Sequence, residues 1–184
     1  MMVRGSWRNV TYRAKLACIL RFLSIALLAA CGLPQEQLAG TPPDLKIEIL
    51  VRGLDTPWAI DFAPDGRIFI TERSGRIRTV EGGRLLPEPW MTFEVAAVGE
   101  AGLMGLAFDP QFGQSRFVYV AYTYRAANGR LQNRLVRLHE DSTTGKGALD
   151  KTLIDNVAGS NNHDGGRVKF GPHAQLCWTT GHAE

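Results

Sequence analysis

From Leu45 onward the chain alternates apolar and polar positions in short runs separated by turn dipeptides. "KIEILV" (46–51), "RIFITE" (67–72) and "RIRTVE" (76–81) alternate in the manner of half-buried strands. Asp65-Gly66, Ser74-Gly75 and Gly82-Gly83 punctuate them, and each dipeptide suits a tight reversal. "NGRLQNRLVRLHED" (128–141) also alternates, which makes its arginines the solvated face of a strand. No segment after Cys31 sustains a 3.6-residue period, so the body of the chain is expected to be all-β.

A longer pattern overlies these strands. "AIDFAPDGRIFITE" from Ala59, "GLAFDPQFGQSRFVYVAY" from Gly105 and "RVKFGPHAQLCWTT" from Arg167 share one order: apolar, any, Phe, any, Pro, a turn, an apolar strand. Phe62, Phe108 and Phe170 are the equivalent aromatics, expected to pack inward. Pro64, Pro110 and Pro172 follow two residues later and end the ladder. Intervals of 46 and 62 residues, each with several short strands, point to blades of a β-propeller. Residues 45–184 hold two such blades and part of a third. The chain therefore reads as the N-terminal part of a longer ring, and residues 31–184 alone are expected to be unstable and inactive, with strand edges unpaired.

Composition changes the picture mainly at the N-terminus. The formal charge of +3 includes Arg4, Arg8, Arg13, Lys15 and Arg21; without them, 16 basic face 18 acidic side chains. Such a body gives no electrostatic reason to expect nucleic-acid binding. The same five cations precede a short apolar run, "FLSIALLAA" (22–30), interrupted too early to span a membrane. Residues 1–30 are expected to be a signal peptide. "LAAC" resembles a bacterial lipobox, with Cys31 as the lipidated residue, and the Pro/Gly-rich stretch 31–44 would tether the domain to a membrane. The protein is therefore expected outside the cytoplasm, in the periplasm on a lipid anchor. Cys177 would then be the one free thiol of the mature domain, expected to be a small buried strand residue.

Three segments together resemble the glucose/sorbosone dehydrogenase family of soluble quinoproteins. They are "GLDTPWAIDFAPDGRIFITERSGRIR" (53–78), "GEAGLMGLAFDPQF" (99–112) and "HDGGRVKFGPHAQLCWTTGH" (163–182). The resemblance implies a six-bladed propeller that oxidises a sugar hydroxyl, with pyrroloquinoline quinone and calcium as cofactors. It also implies that His163 is the general base, a role suited to a side chain that exchanges protons near neutral pH. Glu100, Asn162 and His182 fall at sugar-contacting positions, while Arg167 anchors its blade. Where the family carries Tyr and Gly-Asp, this chain has Cys177-Trp178 and Gly181-His182, which weakens the expected sugar contact at His182. The cations that hold the quinone, and the calcium ligands, belong by resemblance to later blades; the electron acceptor is unassigned.

Two other readings stay open on the sequence. A propeller could bind a ligand without redox chemistry, or act as a calcium-dependent lactonase, which would not need the His-x-x-Gly-Arg loop. His139, His163, His173 and His182 lack the close spacing of a zinc site, so no metal is assigned to them.

Overall fold

A computed structural model describes residues 45–182. The expected signal peptide, tether and lipidated Cys31 lie outside the described residues. Strands β1 (Pro57–Phe62), β2 (Ile68–Glu72), β3 (Arg76–Glu81), β4 (Arg84–Leu85) and β5 (Met91–Thr92) form a first antiparallel sheet in the order β1-β2-β3-β4, with β5 also on β3. A second sheet follows in strict sequence order: β6 (Leu103–Phe108), β7 (Phe117–Arg125), β8 (Leu131–Glu140) and β9 (Gly147–Ala158). The helical turn α1 (Phe112–Ser115) connects β6 to β7. A hairpin of β10 (Gly165–Phe170) and β11 (Leu176–Thr180) opens a third sheet.

The turn dipeptides do what their chemistry favours. Gly66 N donates to Ala63 O (3.0 Å), Gly75 N donates to Glu72 O (2.9 Å), and Gly82-Gly83 joins the paired Glu81 and Arg84. The "KIEILV" expectation fails: 46–51 forms no strand, and Ile49 and Leu50 are exposed. Alternation alone cannot make a strand without an edge to pair with, and no described strand pairs with it.

The sheets stack face to face. Phe69, Ile77 and Trp90 of the first meet Leu106, Phe108, Val118, Val120 and Leu138 of the second. On its opposite face, the second sheet sets Ala107, Ala121 and Leu135 against Val168, Phe170, Leu176 and Trp178 of the third. Strand β7 serves both cores through its period of two: Val118, Val120 and Tyr122 face one way, Tyr119 and Ala121 the other. In β6, a register shift between Leu103 and Leu106 keeps those two on one face despite their spacing.

This stacking corrects two expectations. Phe108 is buried, but Phe62 is 65% exposed. Each repeat turns its Phe toward the preceding sheet, and no described sheet precedes the first. Cys177 is exposed rather than buried, because its neighbours Leu176 and Trp178 take the inward positions of β11.

The leading strands β1, β6 and β10 lie side by side, as the inner strands of successive propeller blades do. Gly105 of β6 is required there, since a Cβ would overlap Gly166 O and Val168 N on β10. Gly105→Ala is expected to cost about 1–3 kcal/mol through overpacking, read from urea unfolding. Across the same inner surface Lys169 Nζ reaches Asp61 Oδ1 at 3.0 Å, and the Arg167 guanidinium lies 5.2 Å from the centre of the Trp58 ring.

A buried carboxylate joins the first two sheets elsewhere. Glu140, at the end of β8, accepts from Arg67 (2.8 Å), Arg116 (3.3 Å) and the Trp90 indole N–H (3.0 Å). Burial works against the Arg67 charge, but bonds to Asp65 and Glu140 outweigh it and hold its pKa above the ordinary value.

Candidate active site

The segments leading into β1, β6 and β10 meet at one end of the inner strands. Arg73 N donates to Thr56 O, and Leu103 N donates to Arg73 O, both at 3.0 Å. Thr123 N donates to Gly102 O (2.9 Å), Glu100 N to Asn161 O (2.7 Å), and Gly181 N to Asp164 O (2.9 Å). These bonds link loops from all three sheets into a continuous rim.

Glu100 and His163 sit together on that rim. The Glu100 carboxylate, through Oε2, accepts the His163 backbone N–H at 3.2 Å. The residues are 63 apart in sequence, and both are exposed. Glu100 Oε1 has no donor among the described residues, so one carboxylate oxygen stays open to a ligand. His163 adopts φ +55°, a left-handed conformation that a β-carbon disfavours by roughly 1 kcal/mol or more. Something must hold it there.

The support comes from beneath, in a residue that sequence reasoning passed over. Asp164 is 4% exposed. Its Oδ1 accepts from the Ser160 backbone N–H (2.8 Å) and from Asn133 Nδ2 on β8 (2.9 Å). The Thr123 hydroxyl on β7 donates its single proton to Asn133 Oδ1 (2.6 Å), which fixes the orientation of that amide. Thr123 thus supports both loops: its backbone holds the Glu100 loop and its side chain holds the partner of the His163 loop. Beside an exposed histidine and two glycines, Asp164 reads as a solvated loop acid. Only a visible pairing with Asn133, 31 residues upstream, would have marked it.

Comparison with known proteins places this arrangement. Residues 54–184 match the glucose/sorbosone dehydrogenase family. The chain belongs to that family. A solved structure from Thermus thermophilus, described as a putative oxidoreductase (glucose dehydrogenase), is 41% identical, with a TM-score of 0.67 over 74% of this chain and 40% of that one. The PQQ-bound aldose sugar dehydrogenase of Streptomyces coelicolor is 28% identical, with a TM-score of 0.62 over 71% of this chain and 39% of its own. The aldose sugar dehydrogenase of Escherichia coli K12 is 31% identical over 139 residues, 72% of this chain and 37% of that protein. This chain therefore spans about two fifths of the length of these relatives. The three sheets are part of the family's β-propeller.

Against the family pattern, the other candidate residues fall as follows. Asn162 is exposed on the same loop, its Oδ1 accepting from Ser160 Oγ at 3.2 Å. His182 is exposed directly after Gly181, whose Cα packs so closely on the His163 carbonyl that no side chain fits there. The structure thus brings Glu100, Asn162, His163 and His182 to one rim. Arg167 stacks on Trp58.

A flat quinone bearing carboxylates needs a floor without side chains and nearby cations. Gly166, at φ +92°, has its side-chain space filled by the buried Met104, so it packs on β6 and offers no such floor. Arg73 offers a buried Nε with no hydrogen-bond partner. Of the two, the Arg73 donor fits the group. Among the described residues no three His, Cys, Asp or Glu side chains gather as a metal site.

Proposed function

We propose that the complete protein oxidises a hydroxyl of an aldose sugar, with His163 as the general base. A hydride leaves the carbon as the hydroxyl proton passes to an imidazole nitrogen of His163, and the C–O bond becomes a carbonyl. Pyrroloquinoline quinone, when bound, supplies the acceptor for the hydride. The observation that carries this reading is the bond from His163 N to Glu100 Oε2. It sets a proton acceptor beside an open carboxylate oxygen that a sugar hydroxyl could meet. Asn162 and His182 would line the same mouth, and Arg73 would be the cation that this part of the chain offers to the quinone. Calcium and the remaining cations of the quinone are assigned to the later blades.

The test is to load the complete protein with pyrroloquinoline quinone and calcium and follow dye reduction by aldoses. Turnover is expected. Tight quinone binding with no sugar oxidised would leave a binding propeller instead. Glu100 gives a finer check, because its two oxygens do different things. Glu100→Gln keeps an acceptor for His163 N and should mainly raise KM. Glu100→Ala also frees the histidine backbone, so kcat should fall as well, by on the order of tenfold for one lost positioning bond.

We also propose export, with cleavage before Cys31 and lipid attachment to its thiol; "LAAC" after the apolar run supports this. Intact mass and detergent partitioning of the exported protein should show acyl chains on Cys31. A soluble chain cut elsewhere and carrying no lipid would refute it. Stable anchoring requires more than one chain.

A further inference from the structure

We propose that Asp164 is the positioning residue for His163, acting through a bracket that crosses from the third sheet into the second. The inference rests on the reading of His163 as the base.

The geometry separates the two residues' tasks. His163 is exposed on the rim, whereas the adjacent side chain is 4% exposed and points into the interface below. A buried carboxylate is costly unless it is paired or well hydrogen-bonded. Here the bonds it makes define the loop. Ser160 N–H to Oδ1 closes residues 160–164 into a compact turn, and Asn133 Nδ2 to the same oxygen fastens that turn to β8. Asn133 is itself 1% exposed and held by Thr123 and by the Ala158 carbonyl (3.3 Å). The left-handed backbone of His163 lies between this bracket and the Glu100 carboxylate. With the bracket cut, the loop would hang only on rim contacts to Glu100 and Gly181, which leave the turn itself unclosed and free to swing the imidazole away from its place.

The bracket needs an acceptor at Oδ1, not a negative charge. Asp164→Asn keeps that acceptor for both Ser160 and Asn133, and its new N–H₂ can face the Thr123 oxygen, now 3.5 Å from Oδ2. Asp164→Ala removes the acceptor. Asn133→Asp strikes from the other side, setting a second carboxylate against the first.

The experiment uses the complete protein, in its quinone-free form for loop exchange and loaded for kinetics. Asp164→Ala and Asn133→Asp are each expected to lower kcat by on the order of 10²-fold, the effect of a misplaced reacting group, with KM moving far less. Amide hydrogen exchange over 159–166 should quicken in both quinone-free variants. Asp164→Asn should keep most of the turnover and the slow exchange. Should Asp164→Ala fail to fold, Asn133→Asp decides alone. If these variants keep near-normal kcat and slow exchange while His163→Ala loses turnover, the bracket is idle and this inference falls by itself. If His163→Ala keeps its turnover, the base assignment falls, and the positioning role falls with it.

Discussion

Glu140→Ala is expected to destabilise the fold by about 3–5 kcal/mol, the range for breaking a buried ion pair from one side. The magnitude follows from what is left behind. Arg67, whose side chain is 15% exposed, would keep Asp65 but lose the more deeply buried of its two anionic partners, and the Trp90 indole N–H would lose its acceptor. These groups come from the first sheet and Glu140 from the second, so the damage falls on the contact between them. Glu140→Gln, which retains the shape and one acceptor, should cost less. Urea unfolding of both variants would show it; a loss below about 1 kcal/mol for the alanine would place the pair among surface bridges of little worth. Acid should act on the same turn. The Arg67 hydrogen bond holds the Asp65 carboxyl below its ordinary value. A carboxylate depressed in the folded state stabilises fully above its unfolded value, near 3.9, and that contribution fades as pH falls through the folded value. The turn should therefore hold through mildly acidic conditions and loosen only below the usual carboxylate range, which an NMR titration of Asp65 would follow.

His163→Ala in the complete, quinone-loaded protein should lose turnover by about 10²- to 10⁴-fold, the usual contribution of a positioned base. Quinone affinity should change little, because the groups proposed to hold the cofactor lie elsewhere. The separation matters: a parallel loss of quinone binding would mean that the loop builds the cofactor site instead of serving the proton. The substitution should cost little stability, since the side chain is exposed. Near-normal oxidation of every aldose tried would remove His163 from the chemistry.

Much of this architecture was legible in the chain itself. The period-two runs 67–72 and 76–81, bounded by Asp-Gly, Ser-Gly and Gly-Gly, became β2 and β3, and the Phe-x-Pro repeats became the inner strands of three sheets. The failures share one physical cause: a single sequence shows which residues want partners, not where the partners are. Residues 46–51 have the alternation of a strand without a neighbouring edge. Phe62 has the aromatic of the repeat without a preceding sheet to cover it, and Cys177 looks apolar but holds the outward register of β11. At the site, His163 and Glu100 are singled out by resemblance to the family's segments, and the fold brings the two onto one rim. Asp164, Asn133 and Thr123 are not singled out, because each looks like an ordinary polar residue until the bond between sheets is seen.

That bond has a practical consequence for anyone recombining these proteins. Crossover points in propeller chimeras are naturally drawn between blades, on the assumption that a blade carries its own loops as a module. Here the loop that opens the third blade is fastened to Asn133 and Thr123 of the second. A graft of residues 159–166 into a relative would arrive without its anchorage unless those two positions travelled with it. The heritable module for this rim is a loop together with two strand residues of its neighbour, and a library cut at blade boundaries would separate them in every member.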